Sequence, residues 1–191
     1  HGWHVALYVN ARGLTTSLVP FDRGQFELQF DFLEHVLDIR TTAGAIARVP
    51  LRPRTVAGFH DDVMGALHGL GITVAISDLP CEIPGAISFT RDTEHASYDA
   101  TYASRFWRVL LQADRVFKQF RTAFLGKSSP VHFFWGSFDL AITRFSGRRA
   151  PLFTGKAPGV APRVMQEAYS HEVSSAGFWP GGNGVDASFY S

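Results

Sequence analysis

The stretch KSSPVHFFWGSFDLAITRF (residues 127–145) decides the fold. Val131, Phe133 and Trp135 point one way along an extended chain, and His132, Phe134 and Gly136 point the other. After Gly136 and Ser137 the alternation resumes, with Phe138, Leu140 and Ile142 against Asp139, Ala141 and Thr143. Period two is the signature of a β-strand, and both faces here are largely apolar. The stretch therefore reads as a central strand, or a tight strand pair, buried on two sides, with Gly136 marking a bulge or a close backbone approach. An edge position would expose an apolar, charge-poor strand to aggregation. Burial is accordingly expected for Phe133, Trp135, Phe138 and Leu140.

Upstream, residues 99–125 predict the longest helix. Phe106, Leu110, Ala113, Phe117, Phe120 and Phe124 recur at steps of four and three, which places them on one face toward the sheet. Trp107 and Leu111 lie on the opposite side, while Arg105, Arg108, Arg115 and Lys118 cover much of the rest. Gly126 is expected to close this helix and Pro130 to prevent its resumption. A second helix is predicted over TVAGFHDDVMGALHGLG, capped by Thr55 and ended by Gly71, with Val56, Phe59, Val63, Leu67 and Leu70 as its stripe.

The remaining strands are short. In WHVALYVN, Trp3, Val5, Leu7 and Val9 share one face. In QFELQFDF, Phe26, Leu28 and Phe30 point in while Gln25, Glu27 and Gln29 point out. HVLDIRT, AIARVP and ITVAIS add three more strands, whereas ARGLTTSLVPFDRG is turn-like. Consecutive short strands separated by turns argue for an antiparallel meander. The expected fold is a single α+β domain over residues 1–191: an antiparallel sheet with two main helices packed on it. HGWHVALYVNARG and HFFWGSFDLAITRFSG echo one another, which suggests two related halves. The apolar alternation at both ends reads as a fragment whose flanking segments are missing, leaving an apolar patch near the termini.

Composition bounds the function. The 191 residues include 17 Phe, 4 Trp and 5 Tyr, enough aromatic bulk for a thick core or a walled cavity. A net charge of +1 gives no general attraction to nucleic acid, and no apolar run reaches the length of a membrane helix. The single Cys81 excludes an internal disulfide and fits a cytoplasmic protein. As a nucleophile Cys81 has no motif around it.

LGKSS lacks the upstream glycine of a phosphate-binding loop, and SHEVSS lacks the second histidine of a zinc motif, so neither site is assigned. What remains is a set of polar residues in apolar settings. His132 and Asp139 lie on the buried stretch, His171 and Glu172 precede VSSAGFWPGG, and Glu94 and His95 sit in the long loop before the large helix. Histidine–carboxylate pairs perform acid–base work because imidazole titrates near neutrality. The expected site joins His132, His171, Glu172 and Asp139 as catalytic groups. Phe134, Trp135, Arg144, Phe178 and Trp179 are its ligand-binding wall. The cofactor is unknown and no metal is assigned. The leading reading is a small-molecule-binding domain, with enzymatic use of the His/carboxylate cluster left open; an interaction module docking through exposed aromatics is the alternative.

At ARGLTTS, DTEHASYD, GKSSPVHFFWGSFDLAITRFSGR and SHEVSSAGFWPGG the chain resembles a bacterial family of uncharacterised proteins, domain of unknown function fifty-nine ninety-six. The resemblance spans nearly the whole chain and implies no activity, cofactor or catalytic residue.

Overall fold

A computed structural model describes residues 6–22, 24–80, 85–155, 161–182 and 184–191. The strands of its first half are β1 (Ala6–Val9), β2 (Gly13–Thr15), β3 (Val19–Phe21), β4 (Gly24–Asp31), β5 (Val36–Thr41) and β6 (Ile46–Pro50). Helices α1 (Val56–Gly69) and α2 (Ala100–Thr122) follow, then β7 (His132–Phe134), β8 (Asp139–Arg149), α3 (Pro162–Ala168), β9 (His171–Trp179) and β10 (Ser188–Tyr190). All strand pairs among the described residues are antiparallel, which makes the protein α+β. The chain divides into two compact units, Val9–Arg108 and the remainder, and α2 contributes residues to both.

In the Val9–Arg108 unit the strand order is β2-β4-β5-β6, with β3 also on β4. The alternation of β4 and β5 places Phe26, Leu37 and Ile39 on one face, where they join Val49 of β6 and Leu67 of α1 in the core. Leu37 and Ile39 are almost wholly buried, each worth about 1.5–3 kcal/mol relative to exposure. Thr55 caps α1 by accepting from the Gly58 N–H at 3.1 Å. The helix ends at Gly71, whose φ of 76° suits glycine, and the N–H groups of Gly71 and Ile72 bond the His68 and Leu67 carbonyls.

Three expectations are corrected in this unit. ARGLTTSLVPFDRG is not merely a turn: β2 and β3 pair with successive parts of β4. ITVAIS forms no strand. Ile72 enters the core, but Val74 and Ile76 are exposed, because β-propensity needs a neighbouring strand to act on. Gln29 is buried rather than outward, and so are Asp31 and Asp38. Their face of the sheet is a satisfied polar layer: Gln29 donates to the Leu14 and Phe30 carbonyls, Arg12 bonds Asp31, and Arg40 and Arg48 bond Asp38.

In the other unit the order is β10-β9-β8-β7-β1. β7 and β8 form a hairpin, so the strand-pair reading of residues 131–143 is the observed one, and β7 is interior to the sheet between β1 and β8. Phe133 and Leu140 are buried as expected, but Trp135 and Phe138 are 45% and 50% exposed. They fall in the turn, where Phe138 N–H bonds the Phe134 carbonyl and alternation no longer governs burial. On β1 the buried residue is Ala6; Leu7 and Val9 are half-buried, and Trp3 and Val5 lie outside the described residues.

Within this unit α2 buries Leu110, Ala113 and Phe117. The ring of Phe117 packs edge-on against Phe189 of β10, which in turn touches Phe178 of β9. The helix stops at Thr122, earlier than expected, and Leu125 is fully exposed. Arg144 donates to the Phe120 carbonyl and lies over the Phe120 ring at 3.3 Å, a cation placed at the negative end of the helix.

Candidate functional site

The β7–β8 hairpin brings part of the predicted site together. Phe134 pairs with Asp139 and His132 with Ala141, so all four side chains share one face of the sheet. His132 and Asp139 are diagonal neighbours across the ladder, a separation of about 7–8 Å that long side chains bridge. The face continues across β9 and β10: Ala141 pairs with Gly177, and Gly177 with Tyr190. Trp179, two residues beyond Gly177, shares it.

Asp139 is the hub. Its carboxylate accepts hydrogen bonds from the Ser137 and Tyr190 hydroxyls, and it is 8% exposed. Tyr190 reaches it by lying across Gly177, where any Cβ would collide with the phenol ring. Burial raises the Tyr190 phenol far above its ordinary value, and the hydrogen bond and charge of Asp139 push in the same direction. His132 is 3% exposed, with the Phe134 ring edge-on at 4.3 Å. Burial lowers its imidazole below the ordinary range, opposed by Asp139 and by a bond to the Pro130 carbonyl. The result is a neutral imidazole on the same face as a carboxylate whose two oxygens are held by hydroxyl donors. Such a pair accepts a hydrogen-bond donor or a proton from a bound group.

Five predicted residues stand apart. His171 is opposite Arg149 on β8, six residues along β9 from Gly177, so about 20 Å of strand separates it from His132. The expected approach of the two histidines does not occur. Glu172 is an exposed partner of Arg148 at 2.7 Å, and that bond holds its carboxyl below the usual range. Arg144 and Phe178 point to the opposite face, toward α2, because they share the parity of Leu140. Trp135 sits at the exposed turn beside Phe138, whose φ of 62° is unusual for a bulky residue. His95 and Glu94 belong to a loop organised by Asp92, which accepts both backbone N–H groups, so they serve the α1 start. Cys81 lies outside the described residues.

Sequence reading missed Tyr190, Ser137 and Gly177. A glycine inside the apolar strand 171–179 was the available signal, since it marks where another group crosses closely. Among the described residues no group of three or more His, Cys, Asp or Glu is placed to hold a metal ion. No helix among them is long and apolar enough to cross a membrane. Two shallow depressions lie elsewhere, one of about 360 Å³ along Asp114, Arg115, Lys118, Gln119 and Thr122, the other of about 320 Å³ beside His35.

Residues 1–191 match the model described as Family of unknown function (DUF5996). No curated protein and no solved structure matches the chain.

Proposed function

Since the chain belongs to the DUF5996 family, whose function is unknown, the site must be read from its own residues, and we propose a cytoplasmic small-molecule-binding domain using the Asp139 face. The observation that carries this reading is the Tyr190 phenol lying across Gly177 onto Asp139. A flat ring ending in a hydroxyl donor already occupies the site, so its ligand is a flat ring carrying a hydroxyl or amino donor. His132 then accepts or relays the donor's proton, and Phe134 and Trp179 supply the apolar rim. Tyr190 acts as the cover that such a ligand replaces.

Chemical rescue tests this. Tyr190→Ala vacates a phenol-shaped space, and p-cresol should stabilise that variant measurably in thermal melts. Tyr190→Ala with Asp139→Asn should gain no such stabilisation. Equal stabilisation of both variants, or of neither, would remove the Asp139 site from consideration. The second reading is protein docking through the turn, supported by the exposure of Trp135 and Phe138. It requires Trp135→Ala to abolish partner capture while p-cresol rescue of Tyr190→Ala persists.

A further inference from the structure

We infer a second site in the Val9–Arg108 unit: an oxyanion site for the terminal phosphoryl group of a small phosphomonoester, in the depression beside His35. That depression, about 320 Å³, is lined by His35, Ala100, Thr101, Ser104, Arg105 and Arg108. Thr101, Ser104, Arg105 and Arg108 fall at steps of three, four and seven along α2, which puts them on one stripe of the helix.

The charge of this stripe is unpaired. The ion pairs of the described residues engage Arg12, Arg40, Arg48, Arg54, Arg148 and Lys118, and leave Arg105 and Arg108 without a carboxylate. The nearest acidic residues in sequence are engaged elsewhere, Asp99 by the Tyr102 N–H and Asp114 by Lys118, and Glu34 beside His35 is turned to Arg12 at 3.8 Å. Arg105 is instead steadied against the Tyr102 ring at 5.7 Å. Two guanidiniums on adjacent turns, with no carboxylate paired to them, present fork-shaped donors suited to a multi-oxygen anion.

The remaining wall adds donors. Asp99 accepts the Tyr102 N–H, and its carbonyl accepts that of Ala103; the N–H groups of Ala100 and Thr101, at the rim, are not engaged by it. Tyr98 lies 2.9 Å from His35 Nδ1, and burial raises its phenol so that it keeps its proton. A phenol donating to Nδ1 leaves Nε2–H as the donor on the other edge of the imidazole. Donors thus come from a helix side, a helix start and a loop, an arrangement that surrounds a tetrahedral oxyanion better than a planar carboxylate. The depression is larger than one phosphoryl group and leaves room for the carbon portion of an ester.

The test is a titration of the isotopically labelled full chain with inorganic phosphate at fixed ionic strength and neutral pH, followed by NMR. Backbone signals of His35, Ala100 and Thr101, and side-chain signals of Arg105 and Arg108, should shift together and saturate. Acetate at the same concentrations should not saturate them. Arg105→Gln and Arg108→Gln should each weaken phosphate about tenfold, the effect of losing one charge-assisted hydrogen bond. Arg115→Gln, on the same helix but outside the depression, should change nothing. Shifts that never saturate, acetate binding equal to phosphate, or an equal loss in Arg115→Gln would each overturn the site.

Discussion

Gly177→Ala tests how the candidate site is closed. The new methyl would occupy the volume of the Tyr190 ring, so the ring must swing aside and its hydroxyl must leave Asp139. A hydrogen bond to a charged group contributes about 1.5–3 kcal/mol. The lower end, about 1.5 kcal/mol, applies because Tyr190 is 41% exposed and water partly replaces the lost donor. Removing a strand glycine returns about 0.5 kcal/mol of backbone entropy, leaving a net loss near 1 kcal/mol. Tyr190→Phe deletes the same hydrogen bond without moving the ring, and should cost about 1.5 kcal/mol in the wild-type background. In the Gly177→Ala background that bond is already broken, so Tyr190→Phe should cost less than about 0.5 kcal/mol, the range of a neutral substitution. Urea denaturation of the four proteins measures this cycle. Equal costs for Tyr190→Phe in both backgrounds would show that the ring does not depend on Gly177, and the reasoning fails.

Further outcomes follow from the same geometry. Because burial lowers the folded-state value of His132, the unfolded chain takes up its proton first as pH falls below the ordinary value of 6.5. Stability should therefore be complete above that value and decline below it, by at most about 1.4 kcal/mol per pH unit from this group. His132→Gln should flatten the slope in urea melts across this window, and an unchanged slope would contradict the burial argument. Phe117→Ala should cost about 3–5 kcal/mol and Arg108→Gln within about 0.5 kcal/mol, checked by the same denaturation. Trp135→Ser should leave the melting temperature nearly unchanged; a large stability loss would make Trp135 a core residue instead.

The sequence was most informative where periodicity and burial coincide. The stripe of α2 and the two faces of β4 and β5 were legible because apolar residues recur at the spacing of their element. Alternation alone does not say where a strand ends, so it predicts burial for Trp135 and Phe138 although they occupy the turn. It also does not separate solvent from a buried polar layer, and so Gln29 reads as outward from alternation alone. At the site, parity already divided Asp139, Ala141 and Thr143 from Leu140, Ile142 and Arg144. Grouping Arg144 with Asp139 ignored that division. The pairing of His132 with Asp139 was readable because both lie on one hairpin. Tyr190 was not, since it arrives from 51 residues away and its position depends on the register of β9 with β10.

The central claim, that the Asp139 face binds a small ring-bearing donor molecule, is tested most directly by native mass spectrometry of the protein expressed in its own host. The wild-type chain should carry a discrete small-molecule adduct that is lost from Asp139→Asn purified in parallel. An identical adduct on both proteins, or none on either, would contradict the claim.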